Sequence, residues 1–146
     1  MAKINMIQSL NQTLHSAMES DDTIVVMGED VGINGGVFRA TDGLFRKFGR
    51  ERVIDTPIAE STILGSAIGM AIAGLKPVAE MQFSGFSYLM MHQLEGNASR
   101  MRTRSRGLFS VPLVVRMPYG GGVRALEHHS ESKEAYYAHT AGVKVV

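Results

Sequence analysis

Short apolar runs rich in β-branched residues alternate with helix-like segments along the chain, and this alternation restricts the fold more than any other feature. Each run is a few residues long and is bounded by polar residues, glycine or proline, as is typical of strands buried on both faces. Strands that alternate with helices are joined by right-handed crossovers into a mostly parallel sheet covered on both faces. The sequence therefore predicts an α/β three-layer sandwich with strands at Thr23–Met27, Val53–Asp55, Pro77–Met81, Leu113–Arg116 and Val143–Val146.

Helix signals fill the intervals between these runs. The first helix is predicted to begin near Ile7, where Asn5 is suited to cap it and Gln8 stands three residues after the cap. A short second helix is predicted with Thr41 as its cap and Gly49 as its stop. Further helices are predicted over Glu60–Leu75, from Phe86 to about Arg104, and over Ser132–His139.

Composition narrows the classes of function. The 146 residues fit a single domain, and a formal charge of +1 provides no field that would attract nucleic acid or an anionic membrane. The absence of Cys excludes disulfides, thiolate metal sites and cysteine nucleophiles. No apolar segment has the pattern of a signal peptide or the length of a membrane span, so we expect a cytoplasmic protein. Because the chain stops on the apolar run 143–146, we also expect a further domain.

Two carboxylates follow predicted strands. The segment GEDVGINGG at 28–36 contains Glu29, but it lacks GK[ST] and its adjacent acids would repel phosphate, so an acidic turn is the simpler interpretation. Glu60 stands at the start of a predicted helix. It either complements the helix dipole or serves as a semi-buried acid at the sheet edge where ligands bind, and the spacing alone leaves both open.

Histidines and arginines form two further groups. Adjacent His128 and His129 in an extended loop would point to opposite sides, so we favour a proton donor over a metal site. The preceding glycines at 120–122 make the backbone pliant, as a loop that closes over a substrate requires. A basic cluster complements the carboxyl end of the predicted long helix and lacks the aromatic residues of a nucleic-acid surface; it consists of Arg100, Arg102, Arg104 and Arg106.

Several sequence blocks in a fixed order carry a family resemblance. They are MGEDVG at 27–32, GGVFRATDGL at 35–44, RVIDTPIAES at 52–61, AIGMAIAGLKPVAEMQF at 67–83, LVVRMPYGGG at 113–122, HHSES at 128–132 and AYYAHTAGVKVV at 135–146. Together they resemble the beta subunit of the thiamine-diphosphate-dependent 2-oxo acid dehydrogenases, over nearly the whole chain. The resemblance implies that residues 1–146 form a transketolase-like pyrimidine-binding domain, without the family's usual carboxyl-terminal domain.

The resemblance also implies roles for particular residues. It makes Glu60 the carboxyl that hydrogen-bonds a ring nitrogen of the cofactor's aminopyrimidine and so activates the cofactor. Phe86 and Ile58 are the positions that would contact the pyrimidine, and Glu29 would lie near the cofactor in a proton relay. His129 matches the histidine of the family's HS motif, so we expect it to bind the substrate or to supply a proton during acyl transfer.

Cofactors and partners follow from the same resemblance. Thiamine diphosphate would lie between this chain and an alpha subunit that binds its diphosphate and magnesium, and no GDG-type magnesium motif occurs here. The backbone at Val111, Leu113 and Val114 matches part of a potassium site. The implied reaction is decarboxylation of a 2-oxo acid, with pyruvate favoured, and acyl transfer to a lipoyl-bearing second component. The implied assembly is a heterotetramer whose two beta subunits pack at 65–74, and the chain alone is expected to be inactive.

Other interpretations stay open on the sequence alone. A beta subunit specific for branched-chain 2-oxo acids or acetoin would carry similar motifs, and a transketolase or deoxyxylulose-phosphate synthase would share the pyrimidine-binding layer. A flavodoxin-like binding module would share the strand and helix order but would need a phosphate loop, which residues 28–36 do not provide. The resemblance assigns no role to His128.

Overall fold

An all-parallel sheet of four strands forms the centre of the computed structural model, which describes residues 3–146. The strand order is β2-β1-β3-β4, so the predicted parallel α/β sheet is confirmed. The chain runs from β1 outward to β2 on one side and then crosses back over β1 to β3 on the other side, which creates the switch point where such sheets bind ligands. The strands are β1 Ile24–Gly28, β2 Val53–Asp55, β3 Lys76–Glu80 and β4 Val114–Arg116.

Helices occupy most of the connections between the strands. The α-helices of the described residues are α1 Met6–Ser20, α2 Leu44–Phe48, α3 Glu60–Ile72, α4 Tyr88–Gly96, α5 Met101–Arg104 and α6 Glu134–Ala138. Short 3₁₀ turns occur at Ser84–Ser87, Ala98–Arg100 and Glu127–His129. Within residues 3–146, none of the helices is both long and apolar enough to cross a membrane.

The helices cover both faces of the sheet and give the predicted three layers. On one face, Val26 of β1 packs with Met18 of α1 and Leu44 of α2. On the other face, Met27 packs in a larger cluster with residues of α3 and α4, including Leu64 and Met90, each of which is fully buried. Successive side chains of β1 therefore pack into hydrophobic clusters on opposite faces of the sheet, which is why this strand is apolar throughout.

The two short-range helix signals had different outcomes. Asn5 accepts a hydrogen bond from the backbone N–H of Gln8, and the Gln8 side chain accepts one from the Asn5 N–H, so the predicted cap of α1 is confirmed. The prediction that Thr41 caps α2 is wrong. Gly43 occupies the cap position in a left-handed conformation, while the Thr41 hydroxyl donates to the Val31 carbonyl at 2.8 Å.

The prediction of one continuous helix from Phe86 to about Arg104 is wrong, because the helix is interrupted between α4 and α5. At Asn97 the backbone turns to φ −122° and ψ −65°, and its side chain donates to Gln93 Oε1 at 2.8 Å. The Arg104 guanidinium donates to the Gly96 carbonyl at 2.7 Å. The Arg104 side chain thus satisfies a backbone carbonyl that the next helical turn would have used, and the helix ends there.

The predicted fifth strand at Val143–Val146 is also wrong. In the described part of the chain these residues form no strand, and the Val143 N–H donates to the Thr140 carbonyl in a turn instead. The turn is held by Gly142, which has φ +88° and would bring an added Cβ to 2.9 Å from the Ser99 carbonyl oxygen. An apolar run becomes a strand only where its backbone finds a partner, and residues 143–146 pair with none of the four strands.

Candidate active site

The candidate site lies at the carboxyl edge of the sheet, around the end of β1. Gly28, the last residue of β1, is in register with Asp55 on one side and Glu80 on the other. An added Cβ at Gly28 would lie 2.6 Å from the Glu80 carbonyl oxygen, so glycine permits the close approach of β1 and β3 at this point. The loop after β1 and the start of α3 converge over the same edge, which is where parallel α/β sheets bind ligands.

Glu29, the first residue after β1, is a buried carboxylate. Glu29 is only 5% exposed, and its Oε1 atom has no hydrogen-bond partner. Burial raises the pKa of the Glu29 carboxyl, the negative charges of Glu60 and Asp30 raise it further, and a hydrogen bond from the Ala59 backbone partly offsets both. Glu29 is therefore an acid that holds a proton more readily than an exposed glutamate does.

Glu60 is the first residue of α3 and is 3% exposed. Its Oε2 atom is buried and has no hydrogen-bond partner, although the helix amino terminus favours a negative charge there. A buried polar atom without a partner is uncommon in proteins and calls for a ligand or a bound water. Of the two interpretations that the sequence left open, the structure supports a buried acid at the ligand-binding edge, with the helix dipole as a contributing factor.

Aromatic rings lie beside this edge in a connected group. Phe83 follows β3 and packs edge-on against Phe86, with 5.7 Å between the ring centroids. Phe38, from the loop after β1, packs on Phe83 at 5.6 Å, and the His129 ring lies 4.6 Å from Phe83 and 5.3 Å from Phe86. The segment after β3 and the loops after β1 and β4 thus bring Phe86 and His129 together.

The two adjacent histidines do not lie in an extended loop, so the prediction that they point to opposite sides is wrong. Residues Glu127–His129 form a 3₁₀ turn, and the His128 ring also lies near Phe86, with 6.3 Å between the centroids. This turn packs so closely on the Ser84–Ser87 turn that an added Cβ at Gly85 would overlap the His128 carbonyl oxygen. Backbone contact with Gly85 therefore limits where the two histidines can lie.

A buried ion pair at the same edge was not identified from the sequence. Glu80 ends β3 and is 3% exposed, and its Oε2 lies 3.0 Å from Nη2 of Arg116, its register partner on β4. Burial raises the pKa of Glu80, and the Arg116 charge offsets part of that rise. The available signal was that both charged residues end neighbouring apolar strands, which places them side by side once the strand order is known.

The comparisons with known proteins agree with this geometry. A family model described as "Transketolase, pyrimidine binding domain" matches residues 2–146. The chain belongs to this family. It is 58% identical, over its full 146 residues, to a protein named pyruvate dehydrogenase E1 component subunit beta from Acholeplasma laidlawii, and 55% identical over 144 residues (99% of the chain) to one of the same name from Mycoplasma genitalium. It is 50% identical over 143 residues (98% of the chain) to the 3-methyl-2-oxobutanoate dehydrogenase subunit beta of Mycobacterium tuberculosis.

This pyrimidine-binding domain accounts for less than half of each relative. The chain covers 45% of the Acholeplasma protein, 44% of the Mycoplasma protein and 41% of the Mycobacterium protein. The family that the sequence blocks indicated is confirmed. The activity, substrates and partners belong to the longer proteins, and for this chain they are proposals.

Ile58 and the three positions of the potassium site remain predictions in this pyrimidine-binding domain. Ile58 precedes α3 and is 82% exposed. It can therefore contact a cofactor only where the cofactor projects beyond the sheet edge. Val111 and Leu113 pack against the larger core cluster, while Val114 is 56% exposed on β4. The potassium ligands proposed at these residues are backbone carbonyls, and in residues 3–146 no group of three His, Asp or Glu side chains is arranged to hold a metal ion.

Replacing Glu29 with Gln is expected to stabilise the domain at neutral pH. The raised pKa of Glu29 means that the folded state binds the Glu29 proton more tightly than the unfolded chain does. The domain therefore loses stability as the pH rises from the pKa that Glu29 has in the unfolded chain to the higher pKa that it has in the folded state. A neutral glutamine avoids this loss and still accepts the hydrogen bond from Ala59. We expect Tm to rise by about 3 °C at pH 8 and to be unchanged at pH 4.

Thermal unfolding at both pH values measures this effect, with Glu51→Gln at an exposed position as the control. A Tm difference of equal size at pH 4 and pH 8 would contradict a titration effect, because at pH 4 the Glu29 carboxyl is mostly protonated in both the folded and the unfolded state.

Proposed function

We propose that this chain is the pyrimidine-binding part of the beta subunit of a 2-oxo acid dehydrogenase, and that the complete enzyme decarboxylates pyruvate and transfers the acyl group to a lipoyl group. The observation that carries the proposal is the pair of buried carboxylates, Glu29 and Glu60, each with one unpartnered oxygen at the ligand-binding edge. Support also comes from the names of the relatives from Acholeplasma laidlawii and Mycoplasma genitalium.

The residues at this edge fit the pyrimidine of thiamine diphosphate. An aminopyrimidine presents ring nitrogens that accept hydrogen bonds and an amino group that donates them. Burial and the charge of Glu60 raise the pKa of the Glu29 carboxyl, so Glu29 can donate a hydrogen bond when it is protonated, while Glu60 offers a buried oxygen that has no partner. Phe86 is half-buried in the aromatic group after β3 and offers an apolar ring for packing.

In this proposal each residue of the chain has one task. Glu60 holds a proton at a pyrimidine ring nitrogen, and Glu29 exchanges protons with Glu60. Phe86 packs on the ring, and Ile58 borders the opening of the site. When bound, thiamine diphosphate supplies the carbon nucleophile and accepts the electrons released by decarboxylation. His129 supplies or accepts a proton where the acyl group is transferred to lipoyl.

The proposed enzyme needs groups and chains besides this one. Its alpha subunit would bind the diphosphate of the cofactor with magnesium, and a second beta subunit and the lipoyl-bearing component would complete the assembly. A potassium ion would bind backbone carbonyls at Val111, Leu113 and Val114. Of these, the Val111 carbonyl also accepts a hydrogen bond from the Leu113 N–H at 3.0 Å, which leaves it one further lone pair for an ion.

A second substrate class has a specific observation in its favour. The Mycobacterium tuberculosis relative, 50% identical to this chain, is named for 3-methyl-2-oxobutanoate, a branched-chain 2-oxo acid. Because such closely related beta chains carry both names, the substrate has to be decided by measurement.

The experiment is to reconstitute the full-length parent of this chain with its alpha subunit and to measure turnover of pyruvate, 2-oxoisovalerate and acetoin. A dye coupled to decarboxylation and a lipoyl-dependent assay report the two halves of the reaction, and omission of thiamine diphosphate is the control. We expect kcat/KM for pyruvate to exceed that for 2-oxoisovalerate by about tenfold or more. The reverse order would assign the branched-chain substrate, and no turnover of any 2-oxo acid would refute the proposal.

A further inference from the structure

Residues 117–133, which we name the histidine loop, run from the end of β4 to the start of α6 and carry both adjacent histidines. The loop is tied at both ends to the Ser84–Ser87 turn. The Ser84 N–H donates to the Pro118 carbonyl at 2.8 Å, and the Ser84 hydroxyl donates to the Glu131 carbonyl at 2.6 Å. The Glu131 carbonyl also accepts from the Gly120 N–H at 2.9 Å, so the two ends of the loop are joined to each other.

Most of the middle of the histidine loop is exposed, and its 127–129 turn packs on Gly85. Gly120 and Gly122 adopt left-handed conformations with φ +85° and +103°. Arg124 and Glu127 also have positive φ, +58° and +53°, which is unfavourable for residues with a side chain. Such conformations persist only where surrounding contacts impose them, so the attachment of the loop ends and the contact with Gly85 together decide where the histidines lie.

Lys133, the last residue of the histidine loop, is 8% exposed, which is unusual for lysine. Its ammonium group pairs with the Glu131 carboxylate and donates to the Tyr88 hydroxyl. It also lies 3.8 Å from the centroid of the Tyr88 ring and 5.7 Å from that of Tyr136. These contacts offset the cost of burying the charge, and they join the loop to the first residue of α4 and to α6.

Simple packing does not account for this arrangement. An apolar side chain would fill the space between Tyr88 and Tyr136 without any cost of removing a charge from water. The ammonium group does what an apolar group cannot, because it binds a carboxylate on the loop and a hydroxyl on α4 at the same time. The contact is directional, and it fixes the position of the loop end relative to α4.

We propose that Lys133 is a positioning residue that fastens the histidine loop to α4 and thereby holds the His129 ring against Phe83 and Phe86. Lys133 lies four residues from His129, and the Ser84–Ser87 turn that contacts the loop runs directly into α4, which begins at Tyr88. The role in catalysis rests on the proposed function. The fastening of the loop does not, and the two are tested separately.

Hydrogen–deuterium exchange on the reconstituted enzyme tests the fastening. In Lys133→Met, which keeps an unbranched apolar stem but removes the charge, we expect peptides that cover 117–133 to exchange about tenfold faster than in the wild type. Lys133→Arg should restore slow exchange, because arginine also pairs with carboxylates and packs on aromatic rings. Peptides from α1 serve as the internal reference, and unchanged exchange of 117–133 in Lys133→Met would overturn the proposal.

Partition between the two half-reactions tests the catalytic consequence. We expect Lys133→Met to lower lipoyl-dependent turnover about tenfold while dye-coupled decarboxylation stays within about twofold, since only the former is assigned to His129. The matched control is Lys47→Met, which removes the exposed ion pair with Glu19 between α1 and α2. An equal loss in both half-reactions would indicate general destabilisation and would overturn the positioning role. If the wild-type enzyme turned over no 2-oxo acid, the proposed function would fail while the exchange result still decided the fastening.

Discussion

Turnover of the 2-oxo acid is expected to fall by about a thousandfold when Glu60 is replaced with Gln in the reconstituted enzyme. The amide has nearly the same shape as the carboxyl group and can occupy the same buried place at the start of α3, where Glu60 is 3% exposed. It cannot take up and release a proton, which is the task that the proposal assigns to Glu60. The loss should therefore appear in kcat in the dye-coupled assay with pyruvate, while the Kd for thiamine diphosphate changes far less.

The control for this substitution is Glu134→Gln. Glu134 is also the first residue of a helix, α6, but it is exposed, so its replacement removes a comparable interaction with a helix dipole without altering a buried acid. We expect wild-type turnover within about twofold for this variant. If Glu60→Gln kept its rate within a factor of about ten, Glu60 would be a structural carboxylate and the central assignment of the site would be wrong.

Replacing His129 with Ala is expected to lower lipoyl-dependent turnover by about a hundredfold, with a much smaller effect on dye-coupled decarboxylation. The His129 ring is half-buried between Phe83 and Phe86, and its Nδ1 lies 3.2 Å from the Leu126 carbonyl oxygen. In the tautomer that donates from Nδ1 to this carbonyl, Nε2 is free to exchange a proton with a reacting group. Measuring both half-reactions on the same preparation separates this step from cofactor activation.

His128→Ala is the natural comparison, because the two histidines are adjacent and both lie near Phe86. The His128 side chain is 59% exposed, and its nitrogens lie 3.9 Å and 3.7 Å from carboxylate oxygens of Glu127 and Glu131. We expect its removal to cost less than about threefold in either assay. A large loss in lipoyl-dependent turnover for His128→Ala, with little change for His129→Ala, would exchange the two assignments.

Local sequence signals were sufficient for most of the secondary structure. The cap formed by Asn5 and Gln8, the stop at Gly49 and the apolar run of β1 each act within a few residues, and the structure agrees with all three. The alternation of strands and helices then implied a parallel sheet, because crossover connections leave few other arrangements. The Thr41 cap failed, because the hydroxyl found a more distant partner in Val31.

The errors at longer range have a common cause. Val143–Val146 has the composition of a strand, but Gly142 packs on the Ser99 carbonyl and the Val143 N–H bonds within a turn. The segment around Asn97 has the composition of a helix, but the Arg104 guanidinium binds the Gly96 carbonyl. Composition sets what a segment is able to form. Whether it forms depends on partners for its backbone groups, and a single sequence does not reveal them.

For the site, the sequence by itself determined the family and the acids and aromatic residues to consider, because ordered motifs over nearly the whole chain are specific. Only the tertiary structure decided which of these groups lost contact with water. Glu29 and Glu60 became buried acids with free oxygens, Glu80 acquired Arg116 as its partner, and Lys133 reached Tyr88, which lies 45 residues away in the chain. The chemistry of an ionisable side chain depends on its solvation and on nearby charges, and both arise only when distant segments pack together.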